Sequence, residues 1–183
     1  MEFRFNLEKT IQAIGVLFRS EHAQQMSYLR LLKLLYISDR ESLRETGWPI
    51  TGDRAVAMDN GPVLSHVYDL IMDRYVGAAL WNQYFRRNHY SLEKAREPDV
   101  GQLSKFEIAK LQEVSRTHED HSEWEMIELT HTFPEWNKNK PPKHSMKPIS
   151  VEDILEGIGK PDYLASIVQD QKDKDVYDQI FGK

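Results

Sequence analysis

A single acid, Asp39, stands among leucines in the first half of the chain and is the first residue whose position suggests chemistry. A helical step of about 100° per residue places it on one face with Leu32, Leu35 and Leu43. A carboxylate in an apolar setting needs hydrogen-bond donors or a cation to offset its burial. The pattern therefore predicts either a structural clamp that ties a loop to this helix, or a catalytic or ligand-binding acid with a raised pKa.

The expected donors to Asp39 lie in the segment that follows the helix. Gly47 ends the helix, so the chain can fold back over it. The candidates are the side chain of Arg54 and the backbone N–H groups around Asn60, Gly61 and Val63. We favour the clamp as the interpretation of Asp39.

Histidines offer the second possible chemistry. His131 closes a short predicted helix, where it can cap the last carbonyl groups or reach Asp39, and a structural role is favoured over general-base catalysis. His118 and His121 bracket two acids, but their spacing lacks the geometry of HExxH zinc sites. With no nucleophile elbow and no phosphate-binding glycine loop, the sequence predicts no catalytic residue, no metal and no cofactor.

The helix that carries Asp39 is predicted to be the centre of the fold, because it is so rich in leucine. Its basic residues collect on the side opposite the apolar stripe, and we predict that they contact a partner; they are Arg30, Lys33, Arg40 and Arg44. An amphipathic helix over 6–19 is expected to pack against it.

The remaining elements are predicted from local signals. Residues 55–58 are expected to form a strand, and Pro62 is expected to open a helix that includes Val63 on its buried face. Aromatic segments at 81–85 and 90–92 suggest a hairpin that forms a small antiparallel sheet with the strand near Val56, or alternatively a stacking surface for single-stranded nucleic acid. Helix starts with capping boxes are predicted at Ser104 and Ser122. The predicted fold class is α+β, mainly α, with a central buried helix and a small antiparallel β-sheet.

Composition narrows the class of protein. The chain has 183 residues, of which 40% are hydrophobic and 29% charged, as in a globular domain. It has no cysteine, and its net charge of -5 argues against a domain built to hold nucleic acid. No apolar run is long enough to span a membrane, and the expected location is the cytoplasm.

Two stretches of the sequence resemble a known family. KLLYISDRESL and GWPITGDRAVAMDNGPVLSHVYDLI are similar to the signature region of the Panacea domain, also called the SocA-like antitoxin domain. The resemblance covers about residues 7–136. Its motif positions, to which the resemblance gives structural roles, include Tyr36, Asp39, Gly52, Gly61, Pro62, Val63 and Tyr68, with His131 and Trp136 downstream.

The resemblance implies a non-enzymatic antitoxin of bacteria or their phages that neutralises a co-encoded, cognate toxin by direct protein contact. It implies a Panacea-like domain over 1–147, and we expect 148–183 to form a helical extension packed on it. Two other hypotheses stay open at this point. One is a metal-dependent hydrolase or nucleic-acid-processing enzyme that uses Asp39 and His131, and the other is an adaptor that delivers a partner to a protease.

Overall fold

The computed structural model describes residues 2–181, except for the side chains at 174, 175, 178, 180 and 181. Helices predominate and two small antiparallel sheets accompany them, which confirms the predicted fold class. In chain order the elements are α1 (Leu7–Ser20), β1 (Gln25–Ser27), α2 (Tyr28–Thr46), β2 (Ala55–Met58), β3 (Gly61–Leu64), α3 (Ser65–Ile71), a 3-10 turn (Trp81–Gln83), β4 (Phe85–Asn88), β5 (Ser91–Lys94), α4 (Lys105–Thr117), α5 (Glu123–His131), α6 (Pro134–Lys138), β6 (Lys147–Ile149), α7 (Val151–Gly157) and α8 (Tyr163–Phe181).

Helix α2 is the centre of the fold. The side chain of Ser27 caps its start, and Gly47, with a φ of 80°, ends it by donating its N–H to the carbonyl of Leu43. Every residue from 31 to 39 is buried. Helices α1, α4 and α5 and strand β3 pack around α2, so its middle turns have no side that faces water.

The strands form two separate sheets, with the orders β1-β5-β4 and β3-β2-β6. In the first, the predicted hairpin pairs with β1, and Met26 lies opposite Leu92. In the second, Val56 on β2 lies between Val63 on β3 and Pro148 on β6. The strand at Val56 therefore pairs with β3 and β6, rather than with the hairpin as the sequence suggested.

The prediction that Pro62 opens a helix is wrong. Pro62 and Val63 belong to β3, where Pro62 lies opposite Ala57, and the helix begins three residues later at Ser65. Proline has no N–H to donate, but β3 is an edge strand, where a missing donor is tolerated. The turn residues before Pro62 are thus the tip of a β2–β3 hairpin.

Capping boxes begin α4 and α5, as predicted. The N–H of Ser104 donates to the Glu107 carboxylate at 2.8 Å, and the N–H of Glu107 donates to the Ser104 hydroxyl at 3.2 Å. Ser122 and Glu125 form the same reciprocal pair. These two local signals fix where the helices that cover α2 begin.

The C-terminal segment packs back onto the rest of the chain. Strand β6 pairs with β2, and α7 packs against α6. Leu155 and Ile167 join Leu43 of α2 in a second, small apolar cluster. The division at 147/148 stays a prediction, and residues 182 and 183 of the predicted extension lie outside the described residues. Among residues 2–181, no helix combines the length and the apolar character needed to cross a membrane.

Candidate functional site

Asp39 holds the loop that follows α2. Asp39 is only 6% exposed. Its Oδ1 accepts hydrogen bonds from the backbone N–H groups of Ile50 and Thr51, each at 3.0 Å. The hydroxyl of Thr51 donates to Oδ2. Burial raises the pKa of Asp39 to about 7, although these donors act in the opposite direction. The geometry is that of a clamp.

The prediction of which groups donate to Asp39 is wrong. The side chain of Arg54 and the N–H groups of Asn60, Gly61 and Val63 do not reach Asp39. The chain folds back immediately after Gly47, so the residues that meet the carboxylate are nearer in sequence than we expected.

A second buried carboxylate, Asp53, continues the same loop and was missed by the sequence reasoning. It accepts the N–H groups of His66 at 3.1 Å and Val67 at 3.0 Å, at the start of α3, and contacts the His66 ring nitrogen at 2.7 Å. Its partners follow it by more than ten residues, beyond two strands, so no capping pattern pointed to it. Asp39 and Asp53 together tie α2, the loop and α3 to one another.

Gly52 lies between these two carboxylates and packs closely against the N-terminal segment. Its φ is +70°, and a Cβ there would come within 2.3 Å of the carbonyl oxygen of Arg4. The backbone N–H of Asn6 also donates to the carbonyl of Thr51 at 3.1 Å. Glycine is required at this motif position by both conformation and space.

We therefore expect Gly52→Ala to lower the free energy of unfolding by about 2 to 3 kcal/mol, because backbone strain adds to a steric collision. Chemical denaturation monitored by circular dichroism measures this loss. Gly77→Ala is the matched control, since Gly77 has a φ of +85° but nothing lies within 4 Å of the place that a Cβ would occupy. Equal losses at the two positions would contradict the collision.

Lys33 is fully buried, and its assignment to an exposed basic side of α2 is wrong. Its Nζ donates to the carbonyl of Pro62 at 2.8 Å, so the side chain connects α2 to β3. Gly61 makes room for it, because a Cβ at Gly61 would lie 2.9 Å from Nζ and 2.6 Å from the Thr130 hydroxyl. Burial lowers the pKa of Lys33 to about 7.

The buried amine predicts a pH dependence. The pKa of Lys33 is about 7 in the folded state and 10.5 in the unfolded chain. The stability that the neutral Lys33 amine contributes is therefore fully present above pH 10.5, and it is lost as pH falls through about 7. The variant Lys33→Met has no titratable amine at this position. Its stability relative to wild type should therefore rise by about 5 kcal/mol as pH falls across that window. Urea unfolding at several pH values tests this, and parallel pH profiles would contradict it.

The other predicted partner-binding residues are largely engaged within the chain. Arg30 forms an ion pair with Glu21 at 2.8 Å and donates to the carbonyls of His118 and His121. Arg44 has a side chain that is 47% exposed and forms an ion pair with Glu41. The four basic residues therefore do not make a continuous surface.

Arg40 belongs to a buried cluster around Glu135, an acid that the sequence reasoning did not single out. Glu135 is only 1% exposed. Its carboxylate accepts hydrogen bonds from the Arg40 Nε–H at 2.7 Å and from the Tyr36 hydroxyl at 3.0 Å. The Arg40 guanidinium also lies 4.2 Å from the centre of the Phe133 ring. Desolvation raises the pKa of Tyr36 well above its ordinary value. This cluster joins α2 to α6.

His131 and Trp136 hold the β2–β3 hairpin. Their rings stack at 4.0 Å between centres, with 13° between the planes. The His131 ring nitrogen Nε2 lies 3.1 Å from the Asp59 carbonyl, and the Trp136 indole donates to the Met58 carbonyl at 3.0 Å. Asp39 contributes to none of these contacts, so the acid–base pair that an enzyme hypothesis needs is not assembled. Among the side chains that the structure describes, no three His, Asp or Glu gather as a metal ion would require.

A cleft of about 440 Å³ opens beside the clamp, between the N-terminal segment, α2, β2 and α7. Its lining includes Asp39, Asp53 and Arg40, whose polar atoms already have the partners described above. Apolar side chains such as Phe3 and Ile149 form much of the rest. The motif tyrosine on α3, Tyr68, is half-buried.

Comparison with protein families agrees with this arrangement. The family model described as "Antitoxin SocA-like, Panacea domain" matches residues 31–137, which is more than half of the chain and runs from α2 through α6. Comparison with curated proteins and with solved structures gave no significant match. The matched region contains the clamp, both hairpins and the Glu135 cluster, and by this match the chain belongs to the SocA-like antitoxin family of Panacea domains.

Proposed function

We propose that this chain is an antitoxin that neutralises a co-encoded toxin by binding it directly, without catalysis. The observation that carries the proposal is the family match over residues 31–137. Family membership suggests the class of activity and leaves the toxin itself unnamed.

The contacts of three buried carboxylates support a binding scaffold. The carboxylates of Asp39 and Asp53 hold backbone N–H groups, and that of Glu135 holds Arg40 and Tyr36. Each of these groups stabilises the junction between two elements. Such a domain presents a rigid surface to its partner, which suits inhibition by contact.

The proposal is tested by expressing the product of the adjacent reading frame in a bacterial host, alone and together with this chain. We expect growth arrest in the first case, growth in the second, and co-purification of the two proteins. A harmless product, or a product that stays toxic at full expression of this chain, would contradict the proposal. Toxin levels measured by immunoblot separate binding from delivery to a protease: stable toxin in a neutralised complex supports contact, and accelerated loss of toxin supports an adaptor.

A further inference from the structure

A partly exposed group of side chains, which contains Tyr28 and Tyr90, lies where the tip of the β4–β5 hairpin meets the first turn of α2. Tyr90 at the tip is 75% exposed, and its ring centre is 6.4 Å from that of Tyr28, with 29° between the planes. The backbone N–H of Tyr28 donates to the carbonyl of Tyr90 at 3.0 Å. A backbone hydrogen bond thus joins the hairpin tip that carries this ring to the central helix.

Arg87 lies in the same group and is held in one orientation. Its guanidinium carbon is 5.6 Å from the centre of the Tyr28 ring. Its Nε donates to the carbonyl of His89 at 2.9 Å, and its Nη1 lies 3.2 Å from the sulfur of Met72. Within the part of the chain that the structure describes, no carboxylate forms an ion pair with Arg87. The guanidinium is therefore a positioned cation that keeps donors for an external acceptor.

Two further side chains border this group. Burial raises the pKa of Tyr28, Arg87 lowers it, and Tyr68, Tyr90 and Glu123 raise it further. Glu123 is itself engaged by the hydroxyl of Ser27. We name the surface formed by Tyr28, Arg87 and Tyr90 the tyrosine face.

The chemistry of the tyrosine face favours a protein partner over a nucleic acid. Tyrosine and arginine are the residue types that dominate binding energy at protein interfaces. Single-stranded nucleic acid also stacks on aromatic rings, but it needs a groove of positive charge along its backbone. Glu123 borders the face, and the chain as a whole has a net charge of -5. A single fixed cation among tyrosines fits a carboxylate side chain flanked by apolar groups.

We propose that the toxin docks on the tyrosine face, placing an Asp or Glu side chain on Arg87 and an apolar side chain against Tyr90. This inference rests on the proposed antitoxin function and names the surface and the partner chemistry through which it acts. It replaces the basic side of α2, whose Lys33 is buried and whose Arg30 and Arg40 have internal partners.

The test measures the affinity of the purified full-length chain for the product of the adjacent reading frame, by calorimetry or biolayer interferometry. We expect Tyr90→Ala to weaken binding about 30-fold and Arg87→Glu at least 100-fold. Phe106→Ala, at a 38% exposed aromatic residue on α4, and Arg4→Glu, at an exposed arginine, are the matched controls and should stay within about threefold of wild type. Circular dichroism and melting temperature establish that every variant is folded.

The outcomes are distinguishable. If the wild-type chain neither binds nor neutralises the adjacent product, the proposed function fails and this inference fails with it. If wild type binds and both face variants bind equally well, the antitoxin role stands and the tyrosine face is overturned. The face is also overturned if Tyr90→Ala converts an oligomer of this chain to a monomer while toxin affinity is unchanged. Binding of a labelled single-stranded RNA that Arg87→Glu abolishes, with toxin affinity unchanged, would overturn it as well.

Discussion

Replacing Asp39 with alanine is expected to lower the free energy of unfolding by about 4 kcal/mol. The substitution leaves the buried N–H groups of Ile50 and Thr51 without an acceptor, and each orphaned group costs about 1 to 3 kcal/mol. Urea unfolding measures the loss. Hydrogen exchange locates it, because protection should fall at Ile50 and Thr51 and not at Gly61. Unchanged protection at these two amides would contradict the clamp.

Asp39→Asn is the matched control for the charge. Asparagine keeps an oxygen that can accept both N–H groups, so its loss of stability should be smaller than that of alanine. Because the folded pKa of Asp39 is raised from 3.8 to about 7, the wild-type carboxyl contributes stability that is fully present below pH 3.8 and is lost as pH rises through about 7. The stability of Asp39→Asn relative to wild type should therefore increase across that window. A constant difference would contradict the raised pKa.

Glu135→Ala is expected to destabilise the protein by about 3 kcal/mol, because it removes the closer of two carboxylates that pair with Arg40, whose side chain is only 10% exposed, and leaves the longer 3.4 Å contact with Glu41. The Tyr36 hydroxyl loses its acceptor at the same time. Thermal and chemical unfolding measure the effect.

A double-mutant cycle separates the ion pair from the other contacts of Glu135. Arg40→Met removes the cation while keeping a long apolar side chain over Phe133. If the loss of the Glu135 charge beside Arg40 causes most of the destabilisation, the double variant will be more stable than Glu135→Ala alone. Additive losses from the two substitutions would show that the charges are not coupled.

Sequence signals that act over a few residues located helix starts well. Ser104 and Ser122 cap their helices as predicted, because a capping box needs only four consecutive residues. Pro62 shows the limit of such signals, since the same residue suits the first turn of a helix and an edge strand. Only pairing with β2, which depends on the tertiary fold, decides between the two.

The sequence predicted the buried acid at the candidate site but not the groups that bind it. The leucines around Asp39 correctly indicated a buried acid that needs donors. The position of Lys33 opposite that stripe indicated exposure, but β3 and α5 cover this side of α2 as well. A helical wheel shows which residues share a face and cannot show that both faces are covered. Glu135 and Asp53 escaped notice for the same reason, since their partners lie on other elements.

The loop at residues 50–54 has a consequence for association with a partner. Asp39 of α2 holds one end of this loop, and Asp53 binds its other end to the first turn of α3. Tyr28 opens α2, and Met72, which Arg87 contacts, directly follows α3, so hydrogen bonds in the interior help to set the spacing between these two parts of the tyrosine face. A protein that docks on this preorganised surface does not have to order it, so little conformational entropy of this chain is lost on binding. The association rate is then limited by encounter and orientation of the two proteins.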